Sequence, residues 1–200
     1  MISEQVIVKV LRDEVAKLKN FVYEFIDTDG KKKKLTLLQF IQRKEPKATD
    51  IHFDYGHYPD MQQKLLQLAK NQPQDRFPLI AVFEDFRVSH NRTGLSGNAR
   101  FTMIIVTLSR PEYKRDQRDI ETFDPILRPV YTCFLKQLKR SGKFLIYDET
   151  SIVFDSVDRP HWGDPKLYKN ERENQSYIFG SCLDGIELQI QLPTLLKTCQ

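Results

Sequence analysis

The segment RFTMIIVTLSRP, near the middle of the chain, constrains the fold more than any other. Its β-branched and aromatic residues favour a strand. Apolar side chains occupy both faces of that strand: Phe101, Met103 and Ile105 on one side, Ile104, Val106 and Leu108 on the other. A strand that is apolar on both faces lies inside a sheet that is covered on both sides. We therefore expect a layered domain built around this strand.

Other β-prone segments supply the rest of the sheet. Leu79–Phe86 is the simplest partner, antiparallel across the glycine-rich loop NRTGLSGN. KFLIYDETSIVFDSV predicts one or two strands, and YIFGSCL with IELQIQL predicts another, bent or turned at Asp184-Gly185. The segment KEPKATDIHFDYGHYPD lacks periodicity and is expected to be a loop.

Three segments have the three-to-four spacing of amphipathic helices. The first is Ile2–Leu18. The second begins at Asp60, a candidate cap, and has an apolar stripe of Met61, Leu65, Leu68 and Ala69. The third is a ladder from Ile120 to Leu138, with Asp124-Pro125 as a plausible start, Pro129 as a kink and Ser141-Gly142 as its end. The order of elements predicts an α+β fold with a mainly antiparallel sheet and packed helices.

Two polar excursions extend from a single domain spanning residues 1–200. The first is a β-hairpin at 20–43, turned at Asp29-Gly30. Lys31, Lys32, Lys33 and Lys34 fall at its tip and along its return strand. They form either a solvated edge that resists aggregation or a contact with DNA phosphates or an acidic partner.

The second excursion, 155–176, is expected to be an extended loop or arm and contains the only tryptophan, Trp162. Trp, Tyr and Arg dominate binding hot spots because they bury a large area with few torsions to freeze. We expect an interface between subunits formed by Arg159, His161, Trp162, Lys166 and Tyr168. The alternative is that Trp162 folds back as a lid over its own sheet.

The sequence predicts no catalytic residue, metal site or cofactor. It has no G-x-S-x-G, and His52 and His57 lack the spacing of a metal pair. Cys133 lies among apolar helix positions, and three distant cysteines indicate reduced thiols. Acids in the first apolar stretch argue against a signal peptide, and no stretch approaches a membrane span, so synthesis in a cytoplasm is expected. The net charge of +4 does not by itself point to nucleic acid.

Three segments resemble the neck or ring proteins of tailed bacteriophages, particularly those of crAss-like phages. They are FPLIAVFEDF, RFTMIIVTLSRPEYKRDQRD and FDPILRPVYTCFLKQL, within Arg76–Leu138, together with the late DGIELQI strand. The order of strands and helix is also similar to tail-terminator and tail-completion proteins. The hairpin and the Trp162 stretch match no signature of these families.

The resemblance implies a structural virion protein that is made in the bacterial host cytoplasm and is not an enzyme. Its copies would close into a homo-oligomeric, twelvefold ring between portal and tail, contacting the portal and other neck proteins while DNA passes through. Such a ring needs two different complementary surfaces on each subunit. Lys31–Lys34 would then face the channel or an acidic neighbour, and Trp162 would anchor an arm.

Two other functions stay open at this point. Glu84, Asp85, Asp148, Glu149, Asp155 and Asp158 lie in or near predicted strands. Carboxylates at strand ends bind Mg²⁺ in nucleases and phosphatases, so a metal-dependent hydrolase is one alternative. A nucleic-acid-binding adaptor, whose affinity would fall steeply with salt, is the other.

Overall fold

The computed structural model describes residues 3–71, 74–90, 96–146, 152–162 and 182–195. The helices are α1 (Glu4–Leu18), α2 (Leu37–Gln42), α3 (Tyr58–Asn71), α4 (Arg115–Arg118) and α5 (Arg128–Arg140), with a 3-10 turn at Gln74–Arg76 and a π-helical segment at Asp119–Leu127. The strands are β1 (Val22–Ile26), β2 (Lys32–Thr36), β3 (His52–Gly56), β4 (Leu79–Phe83), β5 (Arg87–His90), β6 (Ser96–Ser109), β7 (Val153–Trp162) and β8 (Cys182–Leu195).

Six strands form one mainly antiparallel sheet. The order is β3-β4-β6-β8-β7, and β5 pairs with β6 beyond the end of β4. The only parallel pair among these strands is β3 with β4. The predicted α+β class with a mainly antiparallel sheet is confirmed.

The segment that contains β3 was expected to be a loop, and this expectation was wrong. His52–Gly56 forms an edge strand in which every residue is half-buried. Its polar residues His52 and Asp54 alternate with Phe53 and Tyr55, but the alternation covers only five residues and ends in a glycine. Pairing with β4, and not this short pattern alone, fixes the strand.

The prediction for the central strand is confirmed. β6 lies between β4 and β8, and Leu79 of β4 is paired with Val106. Phe101, Met103 and Ile105 join the core on one side of the sheet, and Ile104 and Val106 join the core on the other.

The two faces of the sheet are covered unequally. On one face α1, α2, the π-helical segment and α5 bury a large core with the sheet. On the other face α3 covers only one end, where Met61 and Leu65 belong to the same smaller core as Phe83 and Ile104. The second half of that face has no helix over it among the described residues, and it carries polar side chains.

The hairpin is confirmed, but its return strand is shorter than expected. β1 and β2 pair from Val22 with Thr36 to Ile26 with Lys32, and Gly30 in the turn has φ 76°. The predicted strand beyond Thr36 is instead helix α2. Thr36 caps this helix in a capping box with Gln39, so local hydrogen bonds to the backbone end the strand there.

The long helical ladder is continuous through the prolines, contrary to the expected start at Asp124-Pro125. Pro125 lies inside the π-helical segment. A proline lacks an N–H and crowds the preceding turn, and the wider π turn accommodates both defects. One consequence is that Ile120, expected on the apolar face, is 62% exposed.

Two expectations near the C-terminal end were also wrong. Residues 155–162 of the predicted arm form most of β7, paired with β8. Asp184-Gly185, the expected turn, lies inside the continuous strand β8. A Cβ at Gly185 would approach Ile104 Cδ1 to 2.9 Å, so this glycine serves close packing and not chain reversal.

Candidate functional site

Trp162 lies in the core of its own chain. It is 5% exposed and belongs to the apolar cluster beneath α3, with Leu183 as its pairing partner on β8. A β-bulge in β7 turns the Trp162 side chain toward this cluster. Arg159 and Trp162 are three residues apart, while their partners Gly185 and Leu183 are two apart, so one extra residue rotates Trp162 onto the same face as Arg159.

His161 is the residue that forms the bulge. Its φ of 55° is in the left-handed region, which is uncommon for a residue with a side chain. The His161 N–H donates to Asp184 Oδ1 at 3.1 Å, and its Nδ1 lies 3.1 Å from Arg118 Nη2. Because a guanidinium only donates, Nδ1 is the acceptor in this pair. These two contacts hold the strained backbone that inserts Trp162.

The partners of His161 belong to a buried cluster of charged and polar groups, the Arg118 cluster: Arg118, Thr122, His161 and Asp184. Arg118 and Asp184 are 1% and 0% exposed and are joined by an Nη1–Oδ1 contact of 2.5 Å. Thr122 Oγ1 donates to the other carboxylate oxygen at 2.8 Å. Both oxygens of Asp184 are therefore satisfied, as a buried charge requires.

The same guanidinium also fixes the turn between β6 and α4. Arg118 Nε donates to the carbonyl of Tyr113 at 3.0 Å, and Nη2 donates to that of Arg110 at 2.7 Å. Nη1 also reaches Ser109 Oγ at 2.8 Å. One buried side chain thus connects the end of β6, the following turn, β7 and β8 into a rigid unit.

The lysine run of the hairpin is partly neutralised within the chain. Lys33 contacts Asp27 and Lys34 contacts Glu24, whose Nζ–Oε1 distance is 2.6 Å. Hydrogen bonds from Lys33 and then Arg43 hold the pKa of Asp27 well below its usual value. Lys31 and Lys32 have no ion pair within the described ranges, so no described carboxylate neutralises either of them by direct contact.

The hairpin is a separate two-stranded sheet. Within the described residues neither β1 nor β2 pairs with a third strand. Its inner face packs on α2, where the Tyr23 and Phe25 rings lie 4.7 and 4.8 Å from that of Phe40. Its outer face exposes Val22 by 55% and Ile26 by 70%. The register places Glu24, Lys32 and Lys34 on this face as well, so the hairpin presents two exposed apolar side chains among charged ones, together with two strand edges.

A groove of about 440 Å³ lies on the half of the sheet that α3 leaves open. Asp85, Arg87, Arg100, Thr102 and Gln189 line it, and we call it the arginine groove. Asp85 accepts hydrogen bonds from the Thr102 backbone at 2.8 Å and from its hydroxyl at 2.6 Å. The two arginines are exposed. Neither arginine was predicted from the sequence, since only the register of β5 on β6 brings them together.

The carboxylates proposed for Mg²⁺ do not form a ligand set in the described part of the chain. No three His, Cys, Asp or Glu side chains converge there as metal ligands. Asp85 is bonded to Thr102, and Asp158 contacts Arg128 at 3.1 Å. Asp148 and Glu149 lie outside the described residues. The geometry of the described residues therefore gives no support to the hydrolase alternative.

The two histidines considered as a metal pair and the buried Cys133 lie in surroundings typical of structural residues. His52 Nε2 lies 2.8 Å from the carbonyl of Asp75, and His57 lies 3.9 Å from Glu84. Cys133 is buried in the main core, and burial raises the pKa of its thiol to about 12. A thiol with so high a pKa is a weak nucleophile.

Of the remaining predicted interface residues, one lies within the described residues and two lie outside them. Arg159 is 37% exposed and donates to Glu187 at 2.9 Å, so part of its guanidinium stays accessible. Lys166 and Tyr168 lie outside the described residues. An interface at this segment stays a prediction, but its expected anchor, Trp162, presents almost no area in this conformation.

No protein-family model matches the chain, and no curated protein has a similar sequence. Among the described helices, none combines the length and the apolar character that a membrane crossing requires.

Proposed function

We propose that the chain is a structural protein whose copies assemble head to tail into a closed ring, in the neck of a tailed bacteriophage between portal and tail. One observation carries the proposal: the hairpin packs on α2 yet exposes Val22, Ile26 and two strand edges that pair with no other described strand. Proteins normally protect such edges or use them to pair with another chain.

The surroundings of the hairpin fit assembly better than catalysis. Phe40 and Arg43 fix it from one side; the Arg43 guanidinium lies 4.9 Å from the centre of the Phe25 ring. A surface that is ordered before contact loses less entropy when it binds. Lys31 and Lys32, at one end of this surface, are placed to meet an acidic neighbour or the phosphates of passing DNA.

The first test is the mass of the purified protein in solution, alone and with a candidate portal, followed by imaging of any large species. We expect closed rings under at least one condition. A chain that stays monomeric in both would overturn the proposal. Mg²⁺-dependent hydrolysis that is lost on changing Glu84 or Asp148 would favour the enzyme alternative in its place.

The role of the hairpin needs matched variants. Val22→Asp and Ile26→Asp place a charge on its outer face and should reduce the assembled fraction. Val6→Asp is the control, because Val6 is 52% exposed in the first turn of α1, where an acid is tolerated by the helix dipole. Equal assembly by all three variants would show that the hairpin is not an interface.

A further inference from the structure

The arginine groove contains two like charges that face each other across a pair of strands. Arg87 of β5 and Arg100 of β6 are direct partners in the antiparallel register, so their side chains lie on the same face. Like charges directly opposite each other destabilise a sheet. Arg87 makes no hydrogen bond or ion pair with any described residue. An anion between the two guanidinium groups would remove this repulsion.

The groove beside this pair fits a carboxylate. Guanidinium groups bind carboxylates with two parallel hydrogen bonds, and the Gln189 side chain adds an amide. Nucleic acid fits less well. The one aromatic residue in the lining of the groove, Phe101, is 3% exposed, which leaves no ring for base stacking.

An exposed carboxylate of the same chain lies beyond the opposite end of β6, next to the exposed Lys114 and Arg115. Asp116 of α4 is exposed and has no ion pair within the described residues, and Ile120 follows it by four positions with 62% exposure. Both side chains are exposed, so a carboxylate and an apolar side chain are accessible within four residues of each other. The Arg118 cluster fixes α4 against the end of β6.

We propose that the arginine groove of one copy binds Asp116 of a second copy, with Ile120 packing beside it. The inference rests on the proposed ring and names its interface. Arg100 and Ser109 are nine residues apart on β6, roughly 30 Å at the rise of a strand. Complementary surfaces at the two ends of one subunit generate the head-to-tail contacts that a closed ring requires.

The test exchanges the charges. Arg87→Glu and Asp116→Arg should each weaken self-association by about tenfold or more, as for other close charge pairs at interfaces. The double variant Arg87→Glu/Asp116→Arg should restore association, since every contact then regains opposite charges. Arg87→Glu should remain folded, because the new Glu lies opposite Arg100. Sedimentation velocity over a concentration series measures the association, and circular dichroism verifies the fold.

Two charge-matched controls are available. Arg76→Glu and Asp13→Arg make the same changes at exposed positions outside both surfaces and should leave association unchanged.

Each other outcome overturns the inference. Rings that tolerate both single variants would refute this interface but not the ring itself. A chain that stays monomeric with and without a portal would refute both. If Arg87→Glu abolishes binding of a labelled DNA duplex and leaves assembly unchanged, the groove takes nucleic acid and not a second copy.

Discussion

The chain contains two clusters of opposite charges that differ mainly in burial. The Arg118–Asp184 pair is 1% and 0% exposed and connects four segments of the chain. In the hairpin, Asp27 forms ion pairs with Lys33 and Arg43, whose side chains are 46% and 45% exposed. Exposed pairs contribute little because water and salt screen them, whereas removing one member of a buried pair leaves an uncompensated charge. The first cluster therefore stabilises the whole fold, and the second has a smaller effect that is confined to the hairpin.

The largest effect is expected from separating the buried pair. Arg118→Met leaves Asp184 charged and buried, and we expect the free energy of unfolding to fall by about 3–5 kcal/mol. The loss of the contacts to the carbonyls of Arg110 and Tyr113 adds to this effect. Denaturant titration of the wild type and the variant measures it.

The control for this change removes both charges. Arg118→Met/Asp184→Leu should recover much of the loss, because replacing both partners leaves no buried charge. A loss below about 1 kcal/mol for Arg118→Met, the level of a surface pair, would show that burial does not distinguish the two clusters.

Trp162→Ala tests the packing that the Arg118 cluster positions. We expect the free energy of unfolding to fall by about 3 kcal/mol, at the lower end for tryptophan because β7 is the last strand of the described sheet. Trp162→Phe should lose less, since it keeps most of the apolar contact. If assembly fails while the unfolding free energy is unchanged, Trp162 acts as the arm anchor expected from the sequence. Its burial in the core would then not be its main contribution.

A smaller effect, confined to the hairpin, is expected on acidification. Because the pKa of Asp27 is lower in the folded state, its contribution is complete above about pH 4 and is lost as the pH falls through the folded value. Amide protection in β1 and β2 should then fall while that of β6 and β8 persists. Hydrogen exchange, corrected for intrinsic rates, measures both regions.

Variants at Asp27 isolate this contribution. Asp27→Asn should lower the amide protection of the hairpin already at pH 7 and remove most of its dependence on pH. Asp13→Asn, at an exposed position of α1, should do neither. Equal loss of protection in the main sheet would show that the hairpin and the sheet unfold as one unit.

The smallest effect is expected from the unpaired lysines. Lys31→Gln/Lys32→Gln should change the free energy of unfolding by no more than about 0.5 kcal/mol, because neither side chain has a partner in the described chain. If these lysines contact DNA or an acidic neighbour, the same variant weakens that contact, and the difference grows at low salt. A large loss of stability would contradict the surface role.

Much of the fold was predictable because its signals are local. The two apolar faces of β6, the turn at Gly30 and the end of α5 at Gly142 follow from patterns within a few residues. β3 was missed because its alternation is too short to indicate a strand without its partner β4. Ile120 was misplaced because a π turn changes which residues face the core.

The candidate sites were less predictable. The lysine run was visible in the sequence, but the ion pairs that neutralise Lys33 and Lys34 depend on the hairpin register. Arg87 and Arg100 flank a loop, and only one of several possible registers makes them partners.

The sequence by itself determined the α+β class and the central strand, since alternation, capping and turn residues act over short distances. Tertiary structure decided the position of Trp162. Simple alternation places Arg159 and Trp162 on opposite faces, and the bulge at His161 reverses this. Asp184 holds that bulge from 23 residues away in sequence, and Arg118 reaches Asp184 across 66. Contacts between residues so distant in sequence form only when the whole sheet is assembled.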